Sequence, residues 1–389
     1  MGEIGSAMDE KLLLELLAEA KLRGGGMILN VGEAPEVVVL SVEAYSALLA
    51  GKGTAHAPES LASLGTVPEQ KTQTVLVTGG AGYIGGHVVR LLLDSGYKVV
   101  ALDNLYTGRR EHIPDGVTFI EGDVRDINLL RDVFAGYKID AVAHLAALLE
   151  VGESVEKPFE YLDVNLLGTI KVLSAMQEAG VRRLLFSSTA AVYGSQSLVP
   201  IPELAVCEPN NPYGKSKLLA EKAVEYFTQC GELQATVFRY FNVAGKGTGL
   251  GVADTHHRSH LIPIVLDVAR GSQEQLVVNG GDWGTPDGTC VRDYVHVLDI
   301  ARAHVMALNA GVTEKFSIYN IGTGKGTSVH DVVQVATEVT GRMVPMQVGP
   351  RRAGDDSILV AGVDKIKKDL NFVTEHSTLE EIIRSSWAM

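Results

Sequence analysis

The chain of 389 residues exceeds one typical domain. With 46% hydrophobic and 21% charged residues it can bury a sizeable core, which excludes a disordered chain. A formal net charge of -13 argues against a protein built to grip nucleic acid, since phosphate backbones are held by Lys and Arg, but leaves small phosphorylated ligands open.

From the start, Met1 leads into an acidic, leucine-rich stretch with no basic n-region and no clean apolar h-region, so no signal peptide is expected. Leu12, Leu13, Leu16 and Leu17 give Met8 to Arg23 the spacing of an amphipathic helix, ended by Gly24-Gly25-Gly26. Val37 to Leu40 reads as a short strand, and Ser41 can cap a helix carrying Tyr45, Leu48 and Leu49. This piece faintly resembles the amino-terminal part of small antitoxin-type dimerisation domains over one strand and one helix. The expectation is a short α/β accessory or dimer-forming segment, residues 1–70, closed by a Gly/Ala/Ser/Thr/Pro linker from Gly51 to Gln70.

From Lys71 onward buried β-branched runs alternate with helical stretches. Strands are predicted over Thr74–Thr78, Lys98–Leu102, Val117–Ile120, Ala141–His144 and Leu184–Ser187, with a helix over Ile84–Leu93. That alternation predicts a doubly wound parallel sheet over 71–245. Beyond Gly245 a smaller α/β substrate-binding domain is expected over 246–389, with part of 290–322 returning to the sheet. No uncharged apolar run of about 18 residues appears, so no membrane span is expected, and the cytoplasm follows by default. Cys207, Cys230 and Cys290 lie far apart without metal-like spacing and read as reduced thiols.

Two constellations carry chemistry. Gly79, Gly82 and Gly85 follow the first strand and open the first helix. They serve a tight turn, backbone approach to a pyrophosphate and close helix–sheet packing, with Tyr83 and Ile84 at the positive helix end. Asp103, ending the second strand, can accept both adenosine ribose hydroxyls and would repel a 2′-phosphate, favouring NAD over NADP; Arg109 and Arg110 nearby weaken that preference. Asn104 follows it, and Asp123-Val124 is placed to meet the adenine edge, unless Asp123 caps the next helix. In the second constellation Tyr213 and Lys217 stand four apart on one helix face. A phenol near pKa 10 needs the Lys217 ammonium and an oxidised nicotinamide to act as a base at neutral pH. Ser187-Ser188-Thr189 supplies hydroxyls for the substrate oxygen, and Asn165 an amide that holds the helix geometry.

The segments VTGGAGYIGGHVV, LDNLYTG, EGDVRD, HLAA, VGESVEKP, FSSTAAVYG, NPYGKSK, RYFNVAG, DGTCVRDYVHV, YNIGTGKGTSV and PRRAGD run in order over nearly the whole chain after the linker. From about Thr74 to the end the chain resembles the UDP-sugar 4-epimerases of the extended short-chain dehydrogenase/reductase family. That resemblance implies a Rossmann domain and a tightly held NAD that is reduced and reoxidised in each turnover. The implied reaction interconverts UDP-galactose and UDP-glucose through a 4-keto sugar. Tyr213 would be the base, Thr189 would bond the 4-oxygen and Lys217 would hold the nicotinamide ribose. Leu145, Ala146, Ala147, Asn165, Ser187 and Tyr240 join the implied cofactor site. Phe241, Asn242, His260, Leu261, Arg292, Arg352, Asp355 and Leu359 join the implied substrate site, with Arg292 and Arg352 on the diphosphate and Asp355 on the uridine ribose. A homodimer built from the helices around Met176 and Lys217 is also implied.

Two positions depart from the family: Leu149 replaces a frequent lysine near the nicotinamide ribose, and Leu359 replaces a frequent tyrosine, leaving room near the sugar C2 substituent. His256-His257-Arg258-Ser259-His260 lacks acidic or Cys partners at ligand spacing, so no metal is expected and His260 is read as a nucleotide or sugar contact. Ala190-Ala191 after Thr189 cannot transfer a proton, which weighs against a 4,6-dehydratase or a decarboxylase. An epimerase of another UDP-sugar (N-acetylhexosamine, pentose or uronate), a net dehydrogenase and a non-enzymatic dinucleotide-sensing regulator stay open.

Overall fold

The computed structural model describes residues 27–30, 35–38, 73–247, 260–311, 314–352 and 355–388. The helix expected over Met8–Arg23, the Ser41-capped helix, the linker and His256 to Ser259 lie outside the described residues. Chain contacts divide the protein at Gln70/Lys71. In the first unit β1 (Met27–Asn30) pairs antiparallel with β2 (Pro35–Val38), Met27 facing Val38. β2 includes Val37 and Val38 of the expected strand.

The second unit is built on a seven-stranded, all-parallel sheet. Its strands are β3 (Thr74–Thr78), β4 (Lys98–Asp103), β5 (Thr118–Glu121), β6 (Ala141–His144), β7 (Arg183–Thr189), β8 (Gln234–Tyr240) and β13 (Phe316–Ile321). They lie in the order β13-β8-β7-β6-β3-β4-β5. Val75-Leu76-Val77 and Val99 to Leu102 are apolar without alternation because both faces of a parallel sheet are covered. One face packs α1 (Tyr83–Asp94) and α8 (Val297–Asn309) through Val88, Val89, Leu92, Ile300, Ala303 and Leu308. The other packs α2 (Ile127–Gly136), α5 (Gly168–Ala179) and α6 (Pro212–Cys230) through Leu130, Val133, Val172, Met176 and Val224. Each fully buried aliphatic side chain of this kind contributes about 1.5–3 kcal/mol.

A smaller cluster holds the rest: α7 (Leu261–Arg270), α9 (Val329–Thr340) and α11 (Leu379–Trp387) bury Val265, Leu266, Val332, Ala336, Ile382 and Ile383. Beside them β10 (Leu276–Asn279) pairs parallel with β15 (Met346–Gly349). The chain returns to the large sheet further than residue 322. Ile366 of α10 (Asp364–Leu370) and Phe372 belong to the same core as α1 and α8.

Among the described residues five histidines are buried in this framework, and in four of them burial moves the ring far from its ordinary value. Burial pulls His87, His296 and His304 down to about 4 and His144 to about 3. Unfolding returns each to an ordinary value near 6.5, so between roughly pH 6.5 and 4 the unfolded chain binds more protons and stability falls with pH. Each histidine costs about 1.4 kcal/mol per pH unit in that window. Asp103 and Asp293, whose carboxyls burial pushes up, work in the opposite direction below their folded values. We expect the urea midpoint to drop steeply between about pH 6.5 and 5; a flat midpoint there would show that the rings charge in place.

Candidate functional site

The carboxyl ends of the parallel strands open into one cavity of about 800 Å³, towards the upper end of the usual range for ligand sites of roughly 300–1,000 Å³. Strand ends bring Gly79, Asp103, Leu145, Ser187 to Thr189 and Tyr240 to its wall, the position at which open α/β sheets bind ligands.

On one side lies a glycine cradle. Gly79 turns with φ +72°, and a Cβ there would meet the Ala146 nitrogen at 2.6 Å. A Cβ on Gly85 would fall 1.9 Å from the Gly79 oxygen, so the helix can approach the turn only because that residue is glycine. α1 then starts at Tyr83 with Gly82 as N-cap, no side chain capping it and no acidic residue in its first turn. A backbone cradle at a positive helix end suits a pyrophosphate, so these residues fit a dinucleotide. Gly82, Tyr83 and Ile84 also line the cavity.

Asp103 is buried, and its carboxylate accepts the N–H of Ala81 at 3.0 Å and of Leu105 at 2.8 Å. Burial pushes this carboxyl up, against those two bonds. Arg110 stacks on Phe119 at 4.7 Å and Arg109 does not line the cavity. The capping alternative for Asp123 is corrected: α2 is capped by Asp126, which accepts the N–H groups of Asn128 and Leu129. Asp123 instead accepts Asn104 at 2.9 Å and Arg125 at 2.8 Å, bonds that hold its carboxyl far below the ordinary range. Asn104, Asp123 and Val124 line the cavity, as do Leu145, Ala146 and Ala147.

Asn165 is not on the wall. A π-helical stretch, Leu162–Leu167, precedes α5 and turns its amide inward. There it accepts the Leu148 N–H at 2.8 Å and donates to the Leu148 oxygen and to Ser216, each at 2.9 Å. Its amide therefore ties the loop after β6 to α6 and acts on the site through them.

α6 begins on a strong local signal. Asn211 accepts the Gly214 N–H at 2.8 Å as N-cap and Pro212 takes the first helical position. This places Tyr213, half-buried, in the first turn and the buried Lys217 one turn on, both lining the cavity. Burial pushes the Tyr213 phenol up to about 12; a hydrogen bond with Thr189 opposes the rise and the Glu150 carboxylate adds to it. Burial pulls Lys217 down to about 7 against the pull of Glu221, and its ammonium lies over Phe186 at 4.5 Å. Among the chain's own groups, desolvation therefore outweighs the contribution of Thr189 at the phenol.

The remaining candidates also line the cavity: Phe241, Asn242, His260, Leu261, Arg292, Arg352, Asp355 and Leu359. β11 (Val291–Arg292) pairs with β16 (Ile358–Leu359), setting Arg292 beside Leu359. Arg352 holds Asp355 through a 2.7 Å ion pair, half exposed on the arginine side. Leu149 also faces the cavity, without a charge to offer a ribose.

Sequence reasoning missed Glu150, which lines the cavity next to Leu149, and the ion pair beneath Lys217. Glu221 receives Arg239 Nε at 3.0 Å and Nη2 at 2.7 Å, and also the Ser188 hydroxyl. The positions carried a signal, since Glu221 is one turn beyond Lys217 and Arg239 directly precedes Tyr240. Their pairing did not.

Residues 75–322 match the family model described as the NAD dependent epimerase/dehydratase family. A protein of Corynebacterium glutamicum named UDP-glucose 4-epimerase is 45% identical over 314 residues, covering 81% of this chain and 94% of that protein. The crystal structure of UDP-glucose 4-epimerase from Brucella ovis in complex with NAD superposes with a TM-score of 0.77 at 40% identity, over 81% of this chain and 97% of that one. The Bifidobacterium longum UDP-glucose 4-epimerase in complex with NAD⁺ and UDP gives 0.75 at 38% identity, over 81% and 97%.

Proposed function

The chain belongs to the NAD dependent epimerase/dehydratase family, and from that premise we propose that it interconverts UDP-galactose and UDP-glucose by transient oxidation at the sugar C4. The observation that carries this reading is the gathering of Tyr213, Thr189 and Lys217 in one cavity with the glycine cradle.

Bound NAD supplies a hydride acceptor and donor for C4 and a positive charge beside the phenol. Gly79, Gly82 and Gly85 would hold its pyrophosphate, Asp103 its adenosine ribose, and Ser187, Lys217 and Tyr240 its nicotinamide end. Thr189 positions the 4-oxygen against Tyr213, which takes the hydroxyl proton and returns it once the 4-keto sugar presents its other face. Ala190 and Ala191, beside Thr189, offer no acid or base for expelling water. Arg292 and Arg352 bind the diphosphate, Arg352 exchanging Asp355 for phosphate oxygens and releasing that carboxylate to the uridine ribose.

In this reading the enzyme is a cytoplasmic homodimer. Among the described residues no helix is long and apolar enough to cross a membrane. Met176 and Lys217 point into the fold, so the helices offer Leu167, Leu219 and Tyr226 instead, with Phe159 beside them, all exposed apolar side chains. A second reading, the N-acetylhexosamine pair, is favoured by Leu359 on the cavity wall, where a smaller side chain than tyrosine leaves room at C2.

Purified protein given UDP-galactose without added NAD should invert C4, followed by NMR, and UDP-N-acetylgalactosamine run in parallel ranks the two pairs. A preparation that inverts neither substrate and neither contains nor takes up NAD would overturn the proposal.

A further inference from the structure

Tyr240 ends β8 on the cavity wall, cross-strand from Thr189. Its hydroxyl lies 2.9 Å from Nε2 of His304, which is buried on α8, away from the cavity lining. The other ring nitrogen, Nδ1, lies 2.9 Å from the backbone oxygen of Ile300. A carbonyl oxygen can only accept, so Nδ1 carries the proton of the neutral ring and Nε2 is left as an acceptor. Burial keeps that ring neutral, pulling it down to about 4. Phe238 packs on it at 4.9 Å between ring centres.

The direction of the chain follows. With its one proton committed to Nε2, the Tyr240 oxygen can only accept from any other partner. It therefore meets the cavity as an acceptor, on a lining that Ser187, Thr189 and Tyr213 share. The nicotinamide has a single hydrogen-bond donor group, the NH2 of its carboxamide.

We propose that His304, without touching cofactor or substrate, is a positioning residue: it locks the Tyr240 hydroxyl as an acceptor, which orients the nicotinamide by its carboxamide NH2. The assignment rests on the NAD-dependent reading above. An imidazole reversed or removed would free the Tyr240 proton to point into the cavity, where it would compete with that NH2.

The test measures the NAD carried by the full-length holoenzyme and its release rate. His304→Leu, His304→Gln, Tyr240→Phe and the double variant Tyr240→Phe/His304→Leu are compared with the wild type, with folding checked by circular dichroism. His304→Leu should speed NAD release about tenfold, the loss of one buried hydrogen bond. His304→Gln, whose amide oxygen can accept from Tyr240, should restore most of the retention. In the Tyr240→Phe background His304→Leu should add nothing. Wild-type release from His304→Leu, failure of His304→Gln to restore retention, or multiplying effects in the double variant would overturn the assignment while leaving the function standing. A wild-type chain that binds no NAD would remove the function and this role together.

Discussion

Tyr213→Phe is expected to lower turnover about 10²–10⁴-fold, the usual worth of a positioned acid–base group, while NAD stays bound. In the proposed mechanism the phenol meets the sugar only through its hydroxyl, so losing that hydroxyl leaves the cradle at Gly79, Gly82 and Gly85 intact. Buried at about 12 by the protein's own groups, Tyr213 becomes a base only beside a cation. The variant should therefore also lose the alkaline rise of kcat that reports ionisation of the phenol. Retained NAD with near-complete loss of C4 inversion separates an enzyme from a dinucleotide sensor. Turnover within a few-fold of wild type would remove Tyr213 from the mechanism.

The second large effect is on stability. Glu221 and Arg239 form a two-pronged ion pair in which both side chains are at most 4% exposed. Arg239 also donates to the Glu203 oxygen at 3.1 Å and stacks on Tyr193. Glu221→Gln leaves the guanidinium charge buried without its counterion, at a cost of about 3–5 kcal/mol, read as a lower urea midpoint at unchanged slope. Replacing both partners, Glu221→Leu with Arg239→Met, should recover most of that loss, because two apolar side chains strand no charge. It should not recover activity, since Glu221 is what supports the Lys217 charge against burial. A Glu221→Gln variant within about 1 kcal/mol of wild type would show that the pair is dispensable.

Much of the large sheet was legible because its strands advertise themselves. Val75-Leu76-Val77 and Val99 to Leu102 are uninterrupted apolar runs, and glycines follow the first of them at the spacing a phosphate turn needs. β8 is different: Gln234, Thr236 and Arg239 break its pattern. Arg239 is tolerated inside a sheet only because Glu221 meets it from a helix, a relation no linear spacing records. Asp123 and Asp126 pose a similar limit. Both stand before α2, and only the observed start at Ile127 gives the cap to Asp126, freeing Asp123 for Arg125 and Asn104. The two-residue pairing of β11 with β16 is too short to show any periodicity, although it sets Arg292 beside Leu359.

β13, Ile366 and Phe372 leave the ribosome well after Gly245. A nascent chain paused after Gly245 would expose Val88, Val89 and Leu92 where α8 belongs and would offer β8 as a raw edge. The large sheet therefore cannot mature before the chain beyond Gly245 is made, and a gene fragment cut there is expected to encode an aggregating piece rather than a stable module.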